Sequence, residues 1–265
     1  MDFLNITDKN FLIAGVANKK SVAYFTAKTL IENGGKCLFS VQNEGLIESV
    51  KKLFPDSIVF VCDVENKNHL SNLQNEIKKQ VDKIDGFLHS LAFANFSEGV
   101  KPFIETKRED YLQAAQISCF SLVEMSQSLK ELFTPEASIV TISISNTKAT
   151  SYGYLGPIKA MLDATVPFLA KSFSDFSKIR VNAVGAGPLK TSASAGIPDY
   201  IDNYLYAEEL TFRKQALDTQ EIANTVCFLL SPRSSGINAS TVLVDAGMSS
   251  NYFDQNIIKT FTKNK

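Results

Sequence analysis

The chain has 265 residues, 45% of them hydrophobic, 21% charged and 10% aromatic, which excludes a disordered chain and at this length suits one α/β domain over 1–265. Lys and Arg number 27 against 28 Asp and Glu, a net charge of -1, so no basic field exists for a phosphate backbone and no nucleic-acid partner is expected. Cys37, Cys62, Cys119 and Cys227 form no CxxC pair, and His69 and His89 add no zinc-ligand spacing, so reduced core cysteines and no metal are expected. No apolar run approaches the ~20 residues of a membrane span, and 1–10 lacks a signal-peptide core, which points to a cytoplasmic protein with no membrane partner.

Phe11-Leu12-Ile13-Ala14 reads as a buried strand ending at Gly15, and 21–33 as a helix stopped by Gly34-Gly35. A second strand over 37–41, a helix over 44–53 and a third strand over 58–62 follow. Leu70, Leu73, Ile77 and Val81 recur at helical spacing over 66–81, before a fourth strand at 86–90. The second half continues with a largely helical stretch at 109–132, a strand at 138–144 and a helix at 157–174 with Pro157 in its first turn. A strand at 180–184, a helix at 219–230 and a last strand at 241–244 complete the alternation. The least regular piece, 185–212, is long enough to be a functional loop. About seven strands alternating with helices predict a single doubly wound (Rossmann) α/β domain, a parallel sheet with helices on both faces. Ligands of such sheets bind outside the carboxyl ends of the strands.

The residues at those ends carry the chemistry. Gly15, with a helix starting near Ser21, puts backbone N–H groups where a pyrophosphate can sit, although G-x-G-x-x-G is absent and a tight turn capped by Ser21 would look the same. The second strand ends in Ser40-Val41-Gln42-Asn43-Glu44, neutral then acidic, which favours NADH over NADPH. Lys19 and Lys20 are either a counterweight that pairs a 2′-phosphate or a solvated loop. Asp63 can accept from the adenine amino group or cap the helix near Asn66. Tyr152 and Lys159 follow the fifth strand, and a lysine ammonium beside a tyrosine would lower the phenol's pKa toward that of a working acid. Tyr154 competes for the same role. At Gly185-Ala186-Gly187-Pro188, small residues would let a flat ring approach the backbone, or simply make a turn. His89 lies in a buried strand and reads as a hydrogen-bonded core residue rather than a base.

Together these segments resemble the short-chain dehydrogenase/reductase superfamily and, within it, the enoyl-acyl-carrier-protein reductases of bacterial fatty-acid synthesis. The likeness runs from about Lys9 to Met248. It rests, in order, on Gly15-Val16-Ala17-Asn18-Lys19 with Ser21-Val22-Ala23, Gln42-Asn43-Glu44, Cys62-Asp63-Val64 and His89-Ser90-Leu91-Ala92-Phe93-Ala94. Tyr152-x6-Lys159, Val181-Asn182-Ala183, 185–191 and Val244-Asp245-Ala246-Gly247 continue it.

The resemblance implies that Gly15, Ala17, Ser21 and Val22 meet the pyrophosphate and its ribose, Gln42 the adenosine, and Asp63 and Val64 the adenine. Ser90, Leu91 and Ala92 would line the middle of the cofactor, Lys159 would bind the nicotinamide ribose, and Gly187, Pro188, Leu189 and Thr191 would sit at the nicotinamide end. Tyr152 and Lys159 would be the catalytic pair, with Tyr152 on the thioester carbonyl while NADH reduces a trans-2-enoyl thioester. Ala94, Ile144, Tyr154, Ile197 and Tyr200 would line the acyl side, under a covering loop at about 188–212 that also carries Tyr204. The implied partner is a small-molecule or carrier-protein-linked acyl thioester, and the implied assembly a homotetramer. Ile144 stands where the family has a second tyrosine, which favours a relative acting on another carbonyl or enoyl substrate. A non-catalytic dinucleotide-binding relative is the third reading.

Overall fold

Seven parallel strands form one sheet in the computed structural model, which describes residues 2–99, 101–191, 194, 197 and 200–263. They are β1 (Asn10–Ala14), β2 (Lys36–Val41), β3 (Ile58–Val61), β4 (Ile84–His89), β5 (Phe133–Ile144), β6 (Arg180–Ala186) and β7 (Thr241–Val244), in the order β3-β2-β1-β4-β5-β6-β7. The helices are α1 (Val22–Glu32), α2 (Ile47–Leu53), α3 (Lys67–Lys78), α4 (Arg108–Ala115), α5 (Ser121–Ser128), α6 (Leu155–Ser174), α7 (Tyr200–Leu210), α8 (Thr219–Leu230) and α9 (Gln255–Lys263).

Central strands read as unbroken apolar runs because both faces are covered. Side chains alternate between two cores. Phe11, Ile13, Phe39, Leu88, Val140 and Val184 pack with Ala27 of α1 and Val226 of α8 on one face. Leu12, Phe87, Ile139 and Val181 pack with Leu73 of α3, Leu122 of α5 and Leu162 of α6 on the other. The crossovers reverse direction between β1 and β4, which are neighbours in space. The carboxyl edge beside such a switch point is where this class of sheet binds its ligands.

Three segments differ from the sequence-based expectation. β5 begins at Phe133 rather than 138, because Phe133 pairs with Ile84 across a register shift that the hydrophobic pattern does not reveal. Within 185–212, Gly185 and Ala186 complete β6 opposite Ser143 and Ile144, and Tyr200–Leu210 is helical. Only Tyr204 and Ala207 of that helix are buried, so it lacks a readable apolar stripe. Residues 192, 193, 195, 196, 198 and 199 of the expected covering loop lie outside the described residues. The helix α9 follows the last expected element.

Candidate active site

At the end of β1, Gly15 adopts φ +98, and a Cβ there would lie 2.1 Å from the Ser90 carbonyl oxygen. Only glycine allows the β1 and β4 turns to touch, and the Ser90 amide donates to Ala14 O at 3.1 Å across the junction. Ser21 is the N-cap of α1: its Oγ accepts from the Tyr24 amide at 3.2 Å and donates to Asn18 O at 2.9 Å. Because that hydroxyl is already engaged, the first turn offers a pyrophosphate the backbone N–H groups and positive end of α1. Ala17 is exposed above this turn, while the Val22 side chain points into the core, so only its backbone faces the crevice side. The cradle around Gly15 fits a dinucleotide, by glycine geometry and helix-end polarity.

Gln42, Asn43 and Glu44 are exposed at the end of β2, and Lys19 and Lys20 are exposed on the first turn. Asn66, not Asp63, caps α3, accepting from the Asn68 and His69 amides. The Asp63 amide instead donates to His69 Nδ1 at 3.2 Å, and its carboxylate accepts from the Glu65 amide at 3.0 Å. Asp63 is half-buried beside the buried Val64 at the end of β3.

The β4 turn carries Ser90 and Leu91, both half-buried, and the exposed Ala92. Below it His89 is fully buried, with Nδ1 2.9 Å from Thr141 Oγ1 and Nε2 2.8 Å from Ser121 Oγ. Ser121 Oγ also donates to Ile117 O at 2.6 Å and Thr141 Oγ1 to His89 O at 3.2 Å, so the ring is held by two hydroxyls that are themselves tied to the backbone. Burial, reinforced by the Lys159 charge, lowers the His89 pKa to about 3, so the ring is neutral throughout the working range. Its expected role as a satisfied core residue matches this geometry.

Tyr152 ends a short 3-10 turn, Thr150–Tyr152, and Gly153 at φ +60 separates it from α6. Lys159 lies in the second turn of α6, 4% exposed, and donates to Ile142 O of β5 at 2.7 Å. Burial lowers its pKa to about 8, and the carboxylate of Asp163 opposes that shift. Tyr152 departs from the expected lowered pKa: burial raises it above the ordinary phenol value, and the neighbouring Tyr200 adds to the rise. The phenol therefore stays protonated. Tyr154 is removed from competition for the acid role, since its hydroxyl accepts from the Asn95 amide at 2.7 Å and donates to Asn95 O at 3.1 Å. It lines a cavity of about 40 Å³ beside Phe96 and Gly153. Ala94 is half-buried against the core on the same turn.

After β6, Gly187 donates to Val244 O at 3.0 Å, and the space at its Cα is filled by Leu217 and Asp245. A Cβ on Gly187 would lie 2.7 Å from Leu217 Cδ1, so packing on that side requires glycine. Pro188 is half-buried and Leu189 buried. The Leu189 amide donates to the Tyr200 hydroxyl at 2.9 Å, tying α7 to this turn. Ser194 was not anticipated from sequence: its Oγ donates to Leu189 O at 2.7 Å and accepts from the Thr191 amide at 2.9 Å. Ile197 is half-buried next to this tie. Lys190 Nζ lies 4.3 Å from the centre of the Tyr204 ring. Ile144 is half-buried at the end of β5, opposite Ala186, and brings no hydroxyl to the crevice.

Among the described residues no helix is long and apolar enough to cross a membrane, no cluster fits a metal ion, and the cysteines are free thiols. The sheet order and the family match define a nicotinamide-dependent oxidoreductase of the short-chain dehydrogenase/reductase class. The profile of the enoyl-(acyl carrier protein) reductase family matches residues 15–249, and the chain belongs to that family.

Among its relatives, enoyl-acyl-carrier-protein reductase (NADH) FabI of Bacillus subtilis (strain 168) is 34% identical, over 92% of this chain and 96% of that one. The NADPH-named FabI of Staphylococcus aureus (strain MRSA252) is also 34% identical, over 92% and 98%. Among solved structures, the Bacillus cereus enoyl-acyl carrier protein reductase with NADP+ and indole naphthyridinone superposes with TM-score 0.86 at 32% identity, covering 91% of this chain and 96% of that one. The NADH enzyme of Aquifex aeolicus VF5 superposes with TM-score 0.87 at 29% identity, covering 92% and 97%. Both nicotinamide cofactors thus occur among the relatives' names.

Proposed function

We propose that the chain reduces the trans-2 double bond of an enoyl thioester in fatty-acid synthesis, with NADH as the reductant. The observation that carries this reading is the buried ammonium of Lys159, held on Ile142 O near the carboxyl end of β5, with the half-buried, protonated Tyr152 phenol one short turn before the same helix. The bound dinucleotide supplies hydride. Gly15 and the first turn of α1 would hold its pyrophosphate, Ser90, Leu91 and Ala92 of the β4 turn its middle, and residues 187–191 its nicotinamide end. Lys159, fixed on Ile142 O, presents positive charge to the ribose hydroxyls. Tyr152 donates its O–H to the thioester carbonyl, where negative charge develops as the β-carbon is reduced.

The neutral-then-acidic run Gln42-Asn43-Glu44 supports NADH: no arginine stands there to pair a 2′-phosphate. The proposal includes a single-domain, cytoplasmic homotetramer and an acyl thioester borne on a carrier protein or a small thiol. Ala94, Ile197 and Tyr200 are assigned to the acyl side, with Ile144 in place of a second tyrosine. That apolar residue favours one alternative, a reductase of the same class with a different enoyl or carbonyl substrate.

Substitution of Tyr152 tests the reading. In Tyr152→Phe, NADH affinity measured by fluorescence should stay within about twofold, while turnover falls by roughly 10²–10³ with loss of one oxyanion donor. Unchanged turnover would overturn the assignment, because the Tyr154 hydroxyl is held on Asn95.

A further inference from the structure

The helix running along the β4 turn is not uniformly wound. Between α4 and α5, residues Gln116–Phe120 form a π-turn, an uncommon winding that recurs at functional sites. The extra residue in that turn directs two serines, Ser118 and Ser121, at the sheet, and both are fully buried. Ser121 Oγ is hydrogen-bonded to His89 Nε2 at 2.8 Å. Ser118 Oγ accepts from the Phe93 amide at 2.8 Å and donates to Phe93 O at 3.1 Å. His89 ends β4, and Phe93 lies just past Ser90, Leu91 and Ala92. The three residues assigned to the middle of the cofactor are therefore held at both ends by one face of one helix.

The geometry points to Ser118 as a positioning residue that sets the height of the 90–92 backbone over the crevice, and so the affinity for the nicotinamide dinucleotide. Phe93 is 40% exposed and packing alone does not pin it; the paired hydrogen bonds from Ser118 do. The His89 end is fixed independently, by Ser121 and Thr141, so loss of Ser118 frees one end of the segment while β4 remains in the sheet. The inference rests on the cofactor reading given above.

The test is the Ser118→Ala variant, with folding followed by circular dichroism. The dissociation constant and KM for NADH should rise about tenfold, with kcat within twofold and the KM for the enoyl thioester unchanged. A residue that merely supports the helix would lower the melting temperature and leave that split absent. If Ser118→Ala does not fold, Ser118→Cys retains a weaker donor and acceptor, and its NADH affinity should fall to an intermediate value. Wild-type NADH affinity in a folded Ser118 variant overturns the proposal. Lys159→Met run in parallel separates the two failures: weakened NADH binding there with none in Ser118→Ala removes the clamp alone, whereas no change in either removes the cofactor reading itself.

Discussion

Lys159 couples burial to activity. Its pKa, lowered to about 8 by burial, leaves the ammonium charged below that pH and neutral above it. NADH affinity should therefore decline as pH rises through about 8, and Lys159→Met should abolish that limb; a flat profile in the parent enzyme would contradict the role given to the ammonium. Stability of the cofactor-free chain runs the other way, since the unfolded state binds the extra proton between about 8 and 10.5, and stability rises with pH in that window. His89 acts at the acid end. Its pKa is depressed from 6.5 to about 3, so its contribution is complete above 6.5 and is lost as pH falls toward 3, which a series of melting curves would show. Gly15 is fixed by contact with the Ser90 carbonyl, and Gly15→Ala should cost ~3 kcal/mol in denaturant unfolding through clash and strain. The sequence identified Gly15, Tyr152 and Lys159 as residues of interest. It could not give the direction of the Tyr152 shift, because burial and the neighbouring Tyr200 set that direction and both are properties of the fold.

The secondary-structure elements show where local patterns suffice and where they fail. Asp218 begins α8 with a capping box completed by Glu221, and the expected and observed bounds of that helix coincide. Asp218→Ala should lose about 1 kcal/mol in urea unfolding, with NADH binding unaffected. The π-turn left no comparable trace. Its residues, Gln-Ile-Ser-Cys-Phe, fit an ordinary helix, and only the hydrogen bonds from Ser118 to Phe93 reveal why the winding changes. Helix α7 was hidden for a different reason: it packs through few residues and is tied by the Tyr200 hydroxyl to the Leu189 amide, a long-range bond without periodicity. Ser194 and Asn95 escaped notice likewise, because Ser194 bonds the backbone at Leu189 and Asn95 meets the Tyr154 hydroxyl through its own backbone, neither of which leaves a pattern in sequence.

For the molecule as a whole, the alternation of apolar runs and amphipathic stretches is enough to specify a parallel sheet, and the crossover rules leave few orders for its strands. The observed order places β1 beside β4, brings Gly15 against Ser90 and sets Lys159 on the end of β5, from three separate stretches of the chain. That convergence is the physical basis of the enoyl-reductase reading, and the relatives' names carry both nicotinamide cofactors. The most direct test follows oxidation of NADH, beside NADPH, with a short trans-2-enoyl thioester as substrate. The account predicts turnover with NADH at least tenfold more efficient than with NADPH, lost in Tyr152→Phe. Binding of NADH without any reduction of the enoyl thioester would contradict it.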